Sequence, residues 1–294
     1  MNKLLKLSVL IAGIAWTSVS VAQEYDEELA MAAVEALISA PPEKAVPIAH
    51  RVLSGEHSDE VKARALFILS QADTEEAQSI LLETATNSEG ELRLEAVRMI
   101  GIGGNEDAIA GLTALYSDSD METKEAILQA LMIAGDEQAV FNIAQNAQTD
   151  EEFENAVHML GVMGATAEIS QLPARPGTSE SLIHALAIAG DTERLAAIAR
   201  DSSDPEAQLQ AIHGLGIAGG GEGVLVDVYR STDDSEVKEA AMHGLMVAGD
   251  DESLLELYRS SATPEEKKDL LRLLIIMDSD AALELVDEVL GGGA

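Results

Sequence analysis

The sequence runs to 294 residues, with 53 acidic against 18 basic side chains, a formal charge of −35, no cysteine and 3% aromatic residues. A surface that negative repels phosphate backbones and anionic lipid headgroups, which excludes nucleic acid and bare membrane as partners. Without cysteine there are no disulfides, no thiolate metal sites and no lipoprotein anchor.

The chain opens on Lys3 and Lys6, an apolar stretch from Leu7 to Ala15, and Ser20-Val21-Ala22, a small-x-small pattern before Gln23. That order predicts a secretory signal peptide over residues 1–22, cleaved after Ala22, and a periplasmic address. No later stretch approaches the roughly 20 apolar residues that a bilayer span needs. Removing residues 1–22 takes two lysines and no acid, which leaves 16 basic against 53 acidic side chains, a formal charge of −37. Trp16, the one tryptophan, leaves with that segment, so aromatic-driven carbohydrate binding is not expected.

Residues 23–57 read as a degenerate helix pair that caps the N-terminal end, broken at Pro41-Pro42. From residue 58 to 290 one pattern recurs: Ala65-x-x-x-Leu69, Ala96-x-x-x-Ile100, Ile127-x-x-x-Leu131, Ala156-x-x-x-Leu160, Leu182-x-x-x-Leu186, Ala211-x-x-x-Leu215, Ala241-x-x-x-Leu245 and Leu270-x-x-x-Leu274. A period near 30 residues is the signature of a stacked repeat array. Most copies close with a glycine eight residues after the start (Gly104, Gly135, Gly164, Gly190, Gly219, Gly249), where a left-handed residue stops a helix. Asp73 and Asp278 take that place in the outer copies. Residues 291–294 read as a flexible Gly-rich tail.

Each period predicts two helices, a motif helix and a shorter companion after the glycine, as in Asp136–Gln145, Asp191–Arg200 and Asp250–Arg259. Thr149 with Glu152, Ser119 with Glu122, Ser88 with Glu91 and Thr263 with Glu266 have capping-box spacing. Many acids fall in first turns, where they complement the helix dipole, so much of the charge is structural. Pro173 and Pro176 interrupt a companion helix. The array is therefore expected to be irregular over 165–180, with weakened coupling between the halves on either side. Met132 and Met246 share a repeat position and either fill space or lend an adaptable apolar surface. Gly214-Leu-Gly216-Ile-Ala-Gly219 matches the dinucleotide fingerprint in letters, but it lies inside and at the end of a helix with no strand before it. Nor is there a Gly-x-Ser-x-Gly elbow, a His-Glu-x-x-His helix or a Walker loop. A non-enzymatic protein with no cofactor is expected.

The segments Val61-Lys62-x-x-Ala65-x-x-x-Leu69, Leu92-Arg93-x-x-Ala96 and Val237-Lys238-x-x-Ala241-x-x-x-Leu245-x-x-Ala248-Gly249 resemble the short HEAT repeat of phycobilisome-lyase-type proteins. The resemblance covers roughly Asp59 to the C-terminus. It implies an all-α fold, a right-handed α-solenoid of about eight to nine HEAT-like helix pairs, with the motif helices lining a concave surface.

Two residues after each start, on the side opposite the buried arc, stand Phe67 in the first copy and then Arg98, Gln129, His158, His184, His213, His243 and Arg272. Glu154, Glu180 and Glu239 precede three of the histidines by one turn, while Leu209 breaks the pattern before His213. On the concave face the resemblance implies, this stripe is expected to recognise another protein, a basic one included. The alternative is a metal site for zinc or copper built from Glu154, His158, Glu180, His184, His213, Glu239 and His243. Repeat duplication without purpose also yields such a stripe. Deoxyhypusine hydroxylase, a HEAT-like enzyme, holds iron through His-Glu dipeptides; this sequence contains none.

Overall fold

The computed structural model describes residues 26–173, 178–201, 203–261 and 263–291, with backbone alone at 280 and 281. The expected signal peptide, residues 174–177 of the proline interruption and residues 292–294 of the tail lie outside the described residues. The fold is an all-α HEAT-like solenoid, in which motif helices alternate with companions.

The chain divides into two compact units, one ending at Ala139 and the other beginning at Val140. In the first unit, a helix over residues 26–36 (α1) and Pro42–Ser54 (α2) precede the repeats. The break between them falls at the expected prolines: Leu37–Ser39 tightens to a 3-10 turn and Pro42 starts α2. The repeats follow as α3 (Asp59–Gln71), α4 (Glu75–Asn87), α5 (Gly90–Gly103), α6 (Glu106–Tyr116) and α7 (Met121–Ala134), with α8 (Glu137–Asn146) at the division. The second unit holds α9 (Asp150–Met163), α10 (Thr166–Ile169), α11 (Ser179–Ile188), α12 (Thr192–Ala199), α13 (Pro205–Ala218) and α14 (Glu222–Ser231). It ends with α15 (Ser235–Ala248), α16 (Asp251–Ser260), α17 (Pro264–Ile276) and α18 (Asp280–Gly291).

Two residues one turn apart anchor each motif helix. Ala65 and Leu69, Ala96 and Ile100, Ala156 and Leu160, Ala211 and Leu215, and Ala241 and Leu245 are fully buried. The pair on α11 departs: Leu182 is half-buried, because α11 begins just after the interruption.

Small residues decide how closely the motif helices approach. A Cβ on Gly101 would lie 2.7 Å from the Ala130 backbone, one on Gly161 2.9 Å from the Ala185 carbonyl, and one on Gly216 2.7 Å from the Gly244 carbonyl. The glycine fingerprint on α13 is therefore a helix-packing device. Met132 and Met246 occupy the same repeat position as these glycines and are half-buried. Where Met246 replaces glycine, α15 and α17 touch far less than α13 and α15 do.

Caps follow the acids. Ser58, Thr74, Asn105, Asp120, Thr149, Asp191, Asp204, Asp234, Asp250 and Thr263 each accept a hydrogen bond from a first-turn backbone N–H. Two expected capping boxes are displaced. Asp120, not Ser119, caps α7, since a carboxylate is the stronger acceptor; this contact with Thr123 holds its pKa below the usual 3.8. Glu89 replaces Ser88 at α5, where no side chain caps. Gly104, Gly135, Gly164 and Gly249 adopt the left-handed conformation, as does Asp278 at φ 55°. Asp73 does not, because the chain leaves α3 through Ala72 in an extended conformation.

The proline interruption costs a companion helix most of its length. α10 is a single turn, and Arg194 reaches back from α12 to donate to the Thr166 carbonyl at 2.7 Å. The motif helices on either side still meet at Gly161 and Ala185. The chain divides into its two units near Ala139, so the interruption lies inside the second unit, where the motif helices on either side of it stay in contact.

Candidate functional site

From the second copy onward, positions two residues after the repeat start point to solvent, whereas Phe67 in the first copy is half-buried. Arg98, Gln129, His158, His184, His213, His243 and Arg272 are all exposed, as are Glu154, Glu180 and Glu239. The geometric reason is the 100° turn per residue: packing the start and the residue four later inward leaves this strip outward.

In the second unit, α9, α11 and α13 form a groove of about 720 Å³. Its walls bring together Glu154 and His158 from α9, Glu180, His184 and Ala187 from α11, and Leu209, His213 and Ile217 from α13. The His158 and His184 rings stack across neighbouring helices, with centroids 6.3 Å apart and planes inclined by 10°. Neither Glu154 nor Glu180 has an ion pair or hydrogen bond among the described residues. Leu209, the residue that breaks the glutamate pattern, supplies an apolar wall on α13.

The other stripe members lie apart from this groove. Arg98 and Gln129 border a smaller hollow of about 290 Å³ between α5 and α7, where Glu95 pairs with Arg98 on the same helix. Arg272 borders a third, on α17, beside Lys267, Lys268 and Ile276. His243 and Glu239 are exposed on α15 outside the groove. Among the described residues, no group of three or more His, Asp or Glu side chains converges to hold a metal ion. The seven proposed metal ligands therefore share a face and not a coordination sphere.

An apolar column went unnoticed in the sequence. Six residues after the starts stand Ile102, Ile133, Val162, Ile217 and Val247, between 44% and 50% exposed, and Ile276 at 65%, while Ile188 on α11 is half-buried and Gln71 holds the place in the first copy. The signal was present: every copy from the second onward has Ile or Val four residues after the stripe position. A second missed device recurs at the start of motif helices. Lys124 lies over the Tyr116 ring, Lys238 over Tyr229 and Lys267 over Tyr258, at 5.3–5.5 Å. Lys238 also donates to Glu266 of the next motif helix at 2.7 Å, which lowers the Glu266 pKa and raises that of Lys238.

Among the described residues, no helix is long and apolar enough to cross a membrane. Residues 81–161 match the family model of HEAT repeats. No curated protein matches the chain. Human deoxyhypusine hydroxylase in complex with glycerol is a structural neighbour at 15% identity and TM-score 0.38, covering 84% of this chain and 90% of its own. The CpcE–CpcF complex of phycocyanin lyase from a Nostoc species is another, at 20% identity and TM-score 0.31, covering 85% and 95%.

Proposed function

We propose that this chain, a HEAT-like repeat protein, is a protein-interaction scaffold of the periplasm that binds its partner across the exposed faces of its motif helices. One observation carries the reading: from the second copy onward the side chains at one repeat position are exposed, and an Ile or Val four residues later is exposed in every one of those copies but α11, where Ile188 is half-buried. A fold places apolar side chains in water at such regular intervals at a cost in solubility, and contiguous apolar surface of this kind marks interaction sites. The glutamates on the same helices set the sign of the surface, which favours a partner with basic residues. Zinc or copper binding is the weaker alternative, since the histidines and glutamates do not converge. Cleavage after Ala22 and export complete the proposal.

The test uses a photo-crosslinker placed in turn at Gln129, at His184, and at Glu193 on a companion helix. The first two are expected to capture the same protein from periplasmic extract, and the Glu193 probe to miss it. Equal capture from both kinds of helix would overturn the assignment of the face.

A further inference from the structure

Resting on that reading, we propose that the groove across α9, α11 and α13 recognises an extended peptide segment with one large apolar residue and basic residues three and six positions away from it. The groove is graded. Its α13 wall carries the apolar Leu209 and Ile217, whereas α9 and α11 contribute Glu154 and Glu180, whose carboxylates have no cation partner among the described residues. The stacked His158 and His184 rings lie one helical turn beyond the two glutamates on the same helices and offer a flat surface alongside them.

Spacing selects the register. Motif helices packed through glycine and alanine contacts lie about 8–10 Å apart. A polyproline-type extended chain rises about 3.1 Å per residue with three residues per turn, so every third side chain returns to the same side after about 9.3 Å. Leu209 stands at the repeat position of Glu180 and Glu154, so an apolar side chain seated at Leu209 brings the third residue over α11 and Glu180, and the sixth over α9 and Glu154. A β-strand repeats its sides about every 6.7 Å and fits this spacing less well. Charge complementarity determines the sign: two carboxylates without an ion pair among the described residues, in a strongly anionic protein, select lysine or arginine and reject acid.

The repeat array supplies a substitution that leaves the fold intact. Glu125, Glu154, Glu180 and Glu239 occupy the position that Leu209 holds on α13. Leu209→Glu thus installs the array's own surface residue and removes the apolar wall.

The experiment is fluorescence anisotropy of the full-length protein, processed as the cell leaves it, with labelled nine-residue peptides. The probe carries a leucine, lysines three and six residues beyond it, and prolines between them. Three controls replace both lysines with glutamate, replace the leucine with serine, or move the lysines to the second and fourth positions. The probe is expected to bind at least tenfold tighter than each control. Leu209→Glu should remove the preference for leucine over serine, and Glu154→Gln with Glu180→Gln the preference for lysine over glutamate, both with an unchanged helical circular-dichroism spectrum. Equal binding of the shifted-lysine control would mean simple attraction to an acidic surface and would overturn the register. No binding of any peptide, with crosslinking from Gln129 and His184 intact, would sink the peptide class and leave the scaffold reading standing. Loss of both would remove the scaffold reading as well.

Discussion

The hollow between α5 and α7 and the groove across α9, α11 and α13 are built on one scaffold and differ in chemistry. Both use a glycine to bring successive motif helices together, Gly101 against Ala130 in the first unit and Gly161 against Ala185 in the second. Both expose Ile or Val at the same phase. In the hollow, the stripe residue Arg98 is neutralised by Glu95 on its own helix. In the groove, imidazoles replace the arginine and glutamine, the carboxylates have no cation partner among the described residues, and the volume is about 720 Å³ against about 290 Å³. Repeat duplication thus preserves buried positions that every copy needs and leaves the outward strip free to diverge. Binding chemistry is a property of the strip.

If the scaffold is common, damage to it should weigh equally in both units. Ile100→Ala and Leu215→Ala each remove a fully buried side chain one turn after a repeat start. Each is expected to cost about 2–5 kcal/mol in urea or guanidinium melts; a loss under about half a kcal/mol in either would show that the helical phase differs between the units. Somewhat smaller effects are expected from Gly101→Ala and Gly216→Ala. The new methyl would lie 2.7 Å from backbone atoms of the neighbouring helix, so the helices must part at a cost of about 1–3 kcal/mol. Stabilisation by alanine, as its helix propensity alone would give, would refute the close approach.

Thr149→Ala tests the local support of the groove. Its hydroxyl caps α9 by accepting from the Glu152 backbone N–H, and loss of such a cap costs about 1 kcal/mol. Thermal melts that do not move would show that Glu152, which accepts from the Gln148 N–H, holds the helix start alone.

The Lys238–Glu266 pair sets a smaller, pH-dependent difference between wild type and Lys238→Met. Glu266 titrates below its ordinary 4.5 in the folded protein, so its contribution is present above that pH and is lost as pH falls through the lowered value. Lys238 titrates above its ordinary 10.5, so its contribution is present below that pH and is lost as pH rises through the raised value. The stability gap between the two proteins should be widest between those limits and close at both ends. A gap that does not vary with pH would assign the effect of Lys238 to its packing over Tyr229.

The sequence by itself determined the helix pairs, their period and the buried pair of every motif helix but α11, because those follow from a 3.6-residue periodicity that local residues carry. Asp278 in a glycine's place, and the break before α2 at Pro42, were legible for the same reason: backbone preference is local. The exposure of Ile102, Ile133, Val162, Ile217 and Val247 was decided by tertiary structure, since periodicity gives a side chain's angle on its own helix but not where the neighbouring helix ends. The displaced caps at Asp120 and Glu89 turned on one residue of frame, which only the docked helix start selects. The division near Ala139, the contact kept across the proline interruption, and the stacking of His158 on His184 all depend on side chains from successive repeats meeting. No single repeat contains that information, since it arises from the distance at which glycine and alanine allow two helices to pack.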